Sequence, residues 1–297
     1  MHSLKRIVTI QDISCIGRCS LTTALPIISA LGIECAVIPT AILSNHTAFS
    51  GFTFHDLTDE ILPITEQWRR AGLTFDAVYT GYLGSFDQIR IVSEVIDLLR
   101  ADNPAIRIIV DPAMADFGKL YTGFDEMFAK EMTTLCKKAD VILPNLTEAS
   151  YMLGIPFRPD GYKEQELREI LSALSSLGCA TPILTGASVH TGKVGAMLFD
   201  SSDDSFYLYE NDQLAKQFHG TGDIFASVFT GSIIRGMTPK EALRLSVDFT
   251  LACIRSTVSD PEHRWYGVNF ESVLYMLTNA VTPDGQTVSN NPQILKL

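Results

Sequence analysis

Positive charge is scarce in this chain. Lysine and arginine together number 23 against 34 aspartates and glutamates, a formal net charge of −11. A protein that grips nucleic acid needs a basic face to neutralise phosphates, so this balance argues against that class. It leaves room for a small anionic substrate, because a few backbone N–H groups can hold one phosphate locally. Long apolar runs are missing as well. None approaches the ~18 residues of a membrane span, and the apolar stretch near the N-terminus is too short for a signal-peptide core. No membrane partner is expected. Only six cysteines occur. Cys15 and Cys19 have C-x3-C spacing without the second pair that a zinc site needs, so reduced thiols in a cytoplasmic protein are the expectation. The sequons at Asn45 and Asn145 are then coincidental.

Several nucleotide and hydrolase signatures are absent too. The stretch from Gly186 to Gly192-Lys193-Val194 has one residue too many for a P-loop and no hydroxyl residue after the lysine. Gly220-Thr221-Gly222 lacks the third glycine of a dinucleotide fingerprint. There is no G-x-S-x-G elbow for a serine hydrolase.

What is present is alternation. With 46% hydrophobic and 19% charged residues, the chain can build a large core. Short β-branched and apolar runs recur at 6–10, 35–39, 77–80, 107–111, 141–143 and 182–185, with helical spacing between most of them. Ser85-Phe86-Asp87-Gln88 and Thr238-Pro239-Lys240-Glu241 fit capping boxes. Gly32, Gly72, Gly154 and Gly178 stand where helices should stop. Such alternation predicts parallel strands joined by right-handed crossovers, with helices on both faces. The segments 194–199 and 205–209, split by a polar turn, predict an antiparallel hairpin at a sheet edge. Two helices should follow, at 224–235 and 239–256. One domain over 1–281 is expected, with a loosely held tail over 282–297.

Ligands of such sheets sit beyond the carboxyl ends of the strands, and polar residues gather there. A Gly-Thr-Gly turn, Gly220-Thr221-Gly222, runs into an apolar helix. Its glycines permit close backbone approach, and the orphan N–H groups at the helix start make an anion site. Asp223 beside it can accept a hydroxyl proton while those amides stabilise a transferring phosphoryl group; a plain turn before a helix is the other reading. Asp111 and Asp116 flank an Asp-Pro loop at a strand end and can hold Mg²⁺ together with substrate phosphates. Asn145 and Glu148 repeat the theme, although Glu148 can simply favour the start of its helix. Thr185-Gly186 ends another strand. Asp12, the tetrad Ser44-Asn45-His46-Thr47 and Thr80-Gly81-Tyr82 end the strands on the other side and suit a small polar heterocycle or sugar.

Together Thr9-Ile10-Gln11, Ser44-Asn45-His46-Thr47, Thr80-Gly81-Tyr82, Asp111-Pro112 with Asp116, Pro144-Asn145 with Glu148, and Gly220-Thr221-Gly222-Asp223 resemble the ribokinase-like superfamily. Within it, Ser-Asn-His-Thr resembles the pyridoxal (vitamin B6) kinases. The resemblance covers residues 6–280. It implies an α/β three-layer sandwich, a mostly parallel central sheet flanked by helices, and ATP-dependent phosphorylation of the 5′-hydroxymethyl group of pyridoxal, pyridoxine or pyridoxamine. It implies Asp223 as general base, Gly220, Thr221 and Gly222 as anion hole, and Asp111, Asp116 and Glu148 near Mg²⁺ and the triphosphate. Tyr121, Asn145, Thr185 and Gly186 would lie by the nucleotide. Asp12, Ser44, Thr47 and Tyr82 would line the B6 pocket. A monovalent cation is a further candidate, and a homodimer is the usual assembly. The chain departs from the family pattern at Asp12, where serine is usual, at Ala115 and at Ala48. Asp12 either pairs with a protonated ring nitrogen or an amine, or points into solvent. A hydroxymethylpyrimidine kinase and a non-catalytic nucleotide- or B6-binding protein are the competing readings.

Overall fold

The computed structural model describes residues 4–214, 218–280 and 295–296. The first half of the chain gives β1 (Arg6–Ser14), α1 (Leu21–Ala30), β2 (Glu34–Leu43), β3 (Phe54–Asp56), α2 (Thr58–Arg70), β4 (Ala77–Thr80) and α3 (Phe86–Asp102). Then come β5 (Arg107–Val110), the small pair β6 (Ala115–Asp116) and β7 (Lys119–Leu120), α4 (Glu126–Cys136), β8 (Val141–Ile142), α5 (Leu146–Leu153) and α6 (Glu164–Ser175). The last part holds β9 (Thr181–Ala187), β10 (Lys193–Asp200), β11 (Ser205–Asp212), α7 (Thr221–Ile234), α8 (Pro239–Ser259), α9 (Tyr275–Ala280) and β12 (Leu295–Lys296).

One 10-stranded sheet runs in the order β12-β11-β10-β9-β8-β5-β4-β1-β2-β3. The strands from β9 to β2 in that order pair in parallel. β3 and the β10–β11–β12 group are antiparallel edges. The expected hairpin is therefore present, but β12 flanks it, so β11 is not the outermost strand. Of residues 282–297, only Leu295 and Lys296 are described; the expectation of a loose tail otherwise lies outside the described residues.

Residues of the inner strands are buried on both faces, which is why they read as continuous apolar runs. Ile7, Tyr79 and Ile109 join a core with α1, α7 and α8, whereas Val8, Val78 and Ile108 join a core with α3, α4 and α6. Helices thus cover both faces of the sheet, giving three layers. Both expected caps form. Ser85 Oγ accepts from the Gln88 N–H at 3.1 Å, and Thr238 and Glu241 complete a capping box with Pro239 in the first turn. A side-chain cap of this type contributes about 1 kcal/mol.

Three differences from the sequence reading affect the site. β1 continues through Asp12 to Ser14, with its register against β2 shifting between Gln11 and Ile13; polar residues there disguised a strand as a loop. α7 begins at Thr221, not at 224, because Gly220 is its N-cap. Asp223 therefore occupies the first helical turn. Finally, β3 and the β6–β7 pair have too few residues to show any periodicity.

Candidate active site

The sheet reverses its order of growth between β1 and β4, since β2 lies on one side of β1 and β4, β5, β8 and β9 lie on the other. The carboxyl ends at such a switch point form a crevice. α7 starts there. Gly220 has φ +81, and a Cβ on it would lie 2.2 Å from the Arg18 carbonyl oxygen, so only glycine fits. Gly222 has open space where its Cβ would be, leaving that face of the helix start accessible. The free N–H groups and the positive helix end make this turn an anion cradle.

Asp223 stands in the same turn. Burial pushes its carboxyl up to about 6, the nearby Asp12 adds to this, and an N–H bond from the Ser20 backbone holds it down in part. A carboxylate titrating near 6 is ionised at neutral pH yet basic enough to take a proton. Ser20 adopts φ 48 and ψ −132, a strained conformation for a residue with a side chain. Sequence reasoning missed Ser20; only the neighbouring Gly17 hinted that the 15–20 loop has unusual backbone geometry.

Asp111 and Glu148 lie together across the crevice. Burial raises the Asp111 carboxyl well above its ordinary value, helped by the charges of Glu148 and Asp223. Glu148 is pushed up to about 8, mainly by burial, with N–H bonds from Asn145, Met114 and Ala115 opposing. Its oxygens accept from Met114 N at 3.1 Å and Asn145 N at 2.8 Å. Glu148 thus closes the α5 capping box with Asn145 and also acts on Asp111. Asp116 is exposed on β6 and accepts from the Phe117 N–H at 2.8 Å, which partly opposes the rise that burial gives its carboxyl. Among the described residues no three His, Cys, Asp or Glu side chains converge as a metal cage. That fits Mg²⁺, which is held by one or two carboxylates plus substrate phosphates, and Asp111 with Glu148 is the pair with the right donors.

None of Asp12, Asp111, Asp116, Glu148 and Asp223 enters an ion pair among the described residues. Buried carboxylates without a counter-charge are costly. A cation bound beside them would offset that cost.

The remaining expected residues divide. Thr185 N bonds the Pro144 carbonyl at 3.0 Å and pairs with Asn145 through an isolated bridge, and Gly186 follows with φ +69 inside β9. Tyr121 is partly exposed near the carboxylates, whose charges join burial in raising its phenol. Asp12 is 5% exposed and does not point into solvent. Tyr82 lies with its ring stacked on Phe124, centroids 5.7 Å apart. The tetrad mostly shapes its own loop: Ser44 Oγ donates to Asn45 Oδ1 at 2.7 Å and accepts from Thr53 N at 2.9 Å. Asn45 Nδ2 donates to the Gly51 carbonyl at 3.0 Å, and Thr47 is exposed. His46 meets His219 with ring centroids 5.1 Å apart, and Phe49 meets Trp265 at 4.6 Å with the rings tilted. Phe49 is thereby held against the C-terminal part of the chain.

The fold and crevice define a ribokinase-like kinase scaffold. The chain belongs to the phosphomethylpyrimidine kinase family, which matches residues 21–265. A Bacteroides thetaiotaomicron protein assigned to the phosphomethylpyrimidine kinases, solved with pyridoxal, is 41% identical, with a TM-score of 0.87 over 93% of this chain and 96% of that one. The pyridoxal kinase of Lactobacillus plantarum is 27% identical, with a TM-score of 0.84 over 93% and 98%. The pyridoxal kinase of Dictyostelium discoideum is 24% identical over 97% of this chain and 90% of its own length.

Proposed function

We propose that this protein is a pyridoxal kinase, transferring the γ-phosphoryl group of ATP to the 5′-hydroxymethyl oxygen of pyridoxal, pyridoxine or pyridoxamine. The observation that carries the reading is Asp223. It is a partly buried carboxylate in the first turn of α7, directly beside an open glycine cradle and titrating near 6. Related pyridoxal kinases across the whole chain, and a 41% identical structure solved with pyridoxal, support the substrate.

In this reading Asp223 accepts the hydroxyl proton as the oxygen attacks, and its Ser20 N–H bond fixes the carboxylate toward the substrate. The amides of Gly220, Thr221 and Gly222 neutralise charge on the transferring group. Asp111 and Glu148 hold Mg²⁺, which when bound screens the triphosphate charge. Asp116 lies farther out along the phosphates. Thr185, Gly186, Asn145 and Tyr121 border the nucleotide, and Asp12, Tyr82 and Thr47 border the B6 ring. Ser44 acts indirectly, by shaping the loop that carries Thr47. The reading includes a cytoplasmic homodimer.

One observation favours a second substrate: the family match is to the phosphomethylpyrimidine kinases, and hydroxymethylpyrimidine also offers a ring with a primary hydroxyl. A coupled ADP-release assay with the three B6 vitamers and hydroxymethylpyrimidine, side by side, separates the two. A kcat/KM higher for hydroxymethylpyrimidine than for every vitamer would overturn the assignment, and binding without turnover under saturating Mg·ATP would move the protein to the non-catalytic class.

A further inference from the structure

The turn between β1 and α1 holds two of the four non-glycine residues with positive φ among the described residues, Arg18 at φ 50 and Ser20 at φ 48. A side chain disfavours that region, and the conformation persists only where the surroundings impose it. At Arg18 they do so through the side chain. Its guanidinium donates to Asn269 Oδ1 and lies 3.2 Å from the Glu271 carboxylate. Asn269 Nδ2 donates to Asp260 at 2.9 Å, which fixes the orientation of the amide, because a carboxylate only accepts. Asn269 N donates to Thr257 Oγ1 at 2.7 Å, and Val268 and Phe270 on either side are buried. The guanidinium therefore has a rigid seat on the C-terminal part of the chain.

The backbone of the same turn reaches the site. A Cβ on Gly220 would lie 2.2 Å from the Arg18 carbonyl oxygen, so that carbonyl sits directly on the N-cap of α7. Gly267 makes room for the Arg18 side chain, since a Cβ there would lie 2.6 Å from Arg18 Cβ. The peptide that follows is held from its other side. The Cys19 carbonyl accepts from Thr22 Oγ1 at 2.8 Å, and in a trans peptide the next N–H points the opposite way. That N–H belongs to Ser20 and bonds the Asp223 carboxylate. Arg18 thus stands between a fixed seat and two groups of the proposed chemistry, the cradle and the base.

We infer that Arg18 is a positioning residue for the phosphoryl transfer: its guanidinium, seated on Asn269 and Glu271, holds the 18–20 turn in the left-handed form that sets the Arg18 carbonyl on Gly220 and the Ser20 N–H on Asp223. This rests on the kinase reading and deepens it. Arg18 acts through its own backbone and not on the substrate. An arginine suits the task because its planar fork can engage an amide oxygen and a carboxylate at once. Released from that seat, a residue with a side chain at positive φ relaxes toward negative φ, and the Cys19–Ser20 peptide turns with it. The base then loses the bond that favours its ionised form.

The test compares the full chain with Arg18→Ala, Arg18→Lys and Asn269→Ala, by pH profiles of kcat/KM with pyridoxal and by isotope-edited NMR titration of the aspartate carboxyls. The Asp223 signal is assigned through Asp223→Asn, and thermal melts check folding. In Arg18→Ala, kcat should fall about 10- to 100-fold with KM for ATP little changed. The Asp223 midpoint should rise from about 6 by about 0.5–1 in pH, and the acid limb of kcat/KM should move with it. Asp12 and Asp111, the other carboxylates coupled to Asp223, are untouched by these changes. Asn269→Ala should shift the midpoint in the same direction, and Arg18→Lys, which keeps a cationic donor, should recover most of both losses. A folded Arg18→Ala with a lowered Tm but an unmoved Asp223 midpoint overturns the inference, since a merely structural residue would behave so. So does a midpoint that rises equally in Arg18→Lys. If the midpoint shifts as expected but the unaltered protein turns over no vitamer, the hold of Arg18 on Asp223 stands and the kinase reading falls.

Discussion

Replacing Asp223 by asparagine keeps the size of the side chain and an oxygen to accept the Ser20 N–H, but removes the charge. Two effects of opposite sign should follow. As a base the residue is lost, and kcat should fall by about 10²–10⁴-fold with KM for ATP little changed. As a stability determinant the charge is a burden. The carboxyl is raised from 3.8 to about 6 in the folded protein, with burial the largest cause. The folded state therefore holds the proton more tightly than the unfolded chain. The penalty is absent below about pH 3.8, grows as the pH rises and is complete above about 6. Full ionisation at pH 8 costs about 3 kcal/mol on this basis. Asp223→Asn should then raise Tm at pH 8 by roughly 5 °C, and the gain should vanish as the pH is lowered toward 4. Melting curves from pH 4 to pH 8, with kcat measured on the same samples, check both arms. In the unaltered enzyme the acid limb of the kcat/KM profile should fall near pH 6. An equal or lower Tm for the variant at pH 8, or a gain that persists at pH 4, would refute the electrostatic reasoning even if activity is lost.

The two glycines of the cradle should respond differently to alanine. Gly220→Ala meets the Arg18 carbonyl at 2.2 Å in a positive-φ position and should destabilise the fold by about 2 kcal/mol or more, read as a lowered denaturation midpoint. Gly222→Ala has open space around it, so Tm should hold within about 1 °C while a methyl group on the anion-facing side cuts kcat. Ser44→Ala removes two hydrogen bonds that shape the 44–53 loop. It should raise KM for the vitamer with little change in KM for ATP; an unchanged vitamer KM would show that the loop keeps its form without them.

Much of the architecture was legible because burial on both faces writes itself as apolar runs. Residues 77–80 were read with the bounds that β4 has, and the Thr238 capping box closes as read, whereas at α3 only the Ser85 hydroxyl caps and Gln88 Oε1 accepts from the Gly84 N–H instead. Short edge elements were not legible. Phe54, His55 and Asp56 are all exposed, so β3 has no hydrophobic pattern to betray it. Within the site, residue types at strand ends pointed to Asp223, Asp111 and Glu148. Their division of labour depended on contacts. Glu148 can be seen as both cap and buried charge only once the Met114 and Asn145 N–H groups are placed. Ser44 resembled a substrate ligand, yet its hydroxyl is engaged within its own loop. Ser20 left no trace in the sequence, since it acts through its backbone.

The glycine contacts around Arg18 bear on when during synthesis the site can exist. A Cβ on Gly17 would strike His46 at 2.6 Å, one on Gly220 would strike the Arg18 carbonyl, and one on Gly267 would strike Arg18 Cβ at 2.6 Å. Four stretches far apart in sequence therefore interlock at one point beside the cradle, and Trp265 clasps Phe49 next to them. A chain emerging from a ribosome can form β1, β4 and most of the sheet before residue 267 appears, but the loop that carries Ser20 has no finished seat until then. The packing around Arg18 is thereby completed only when nearly all of the chain has been made.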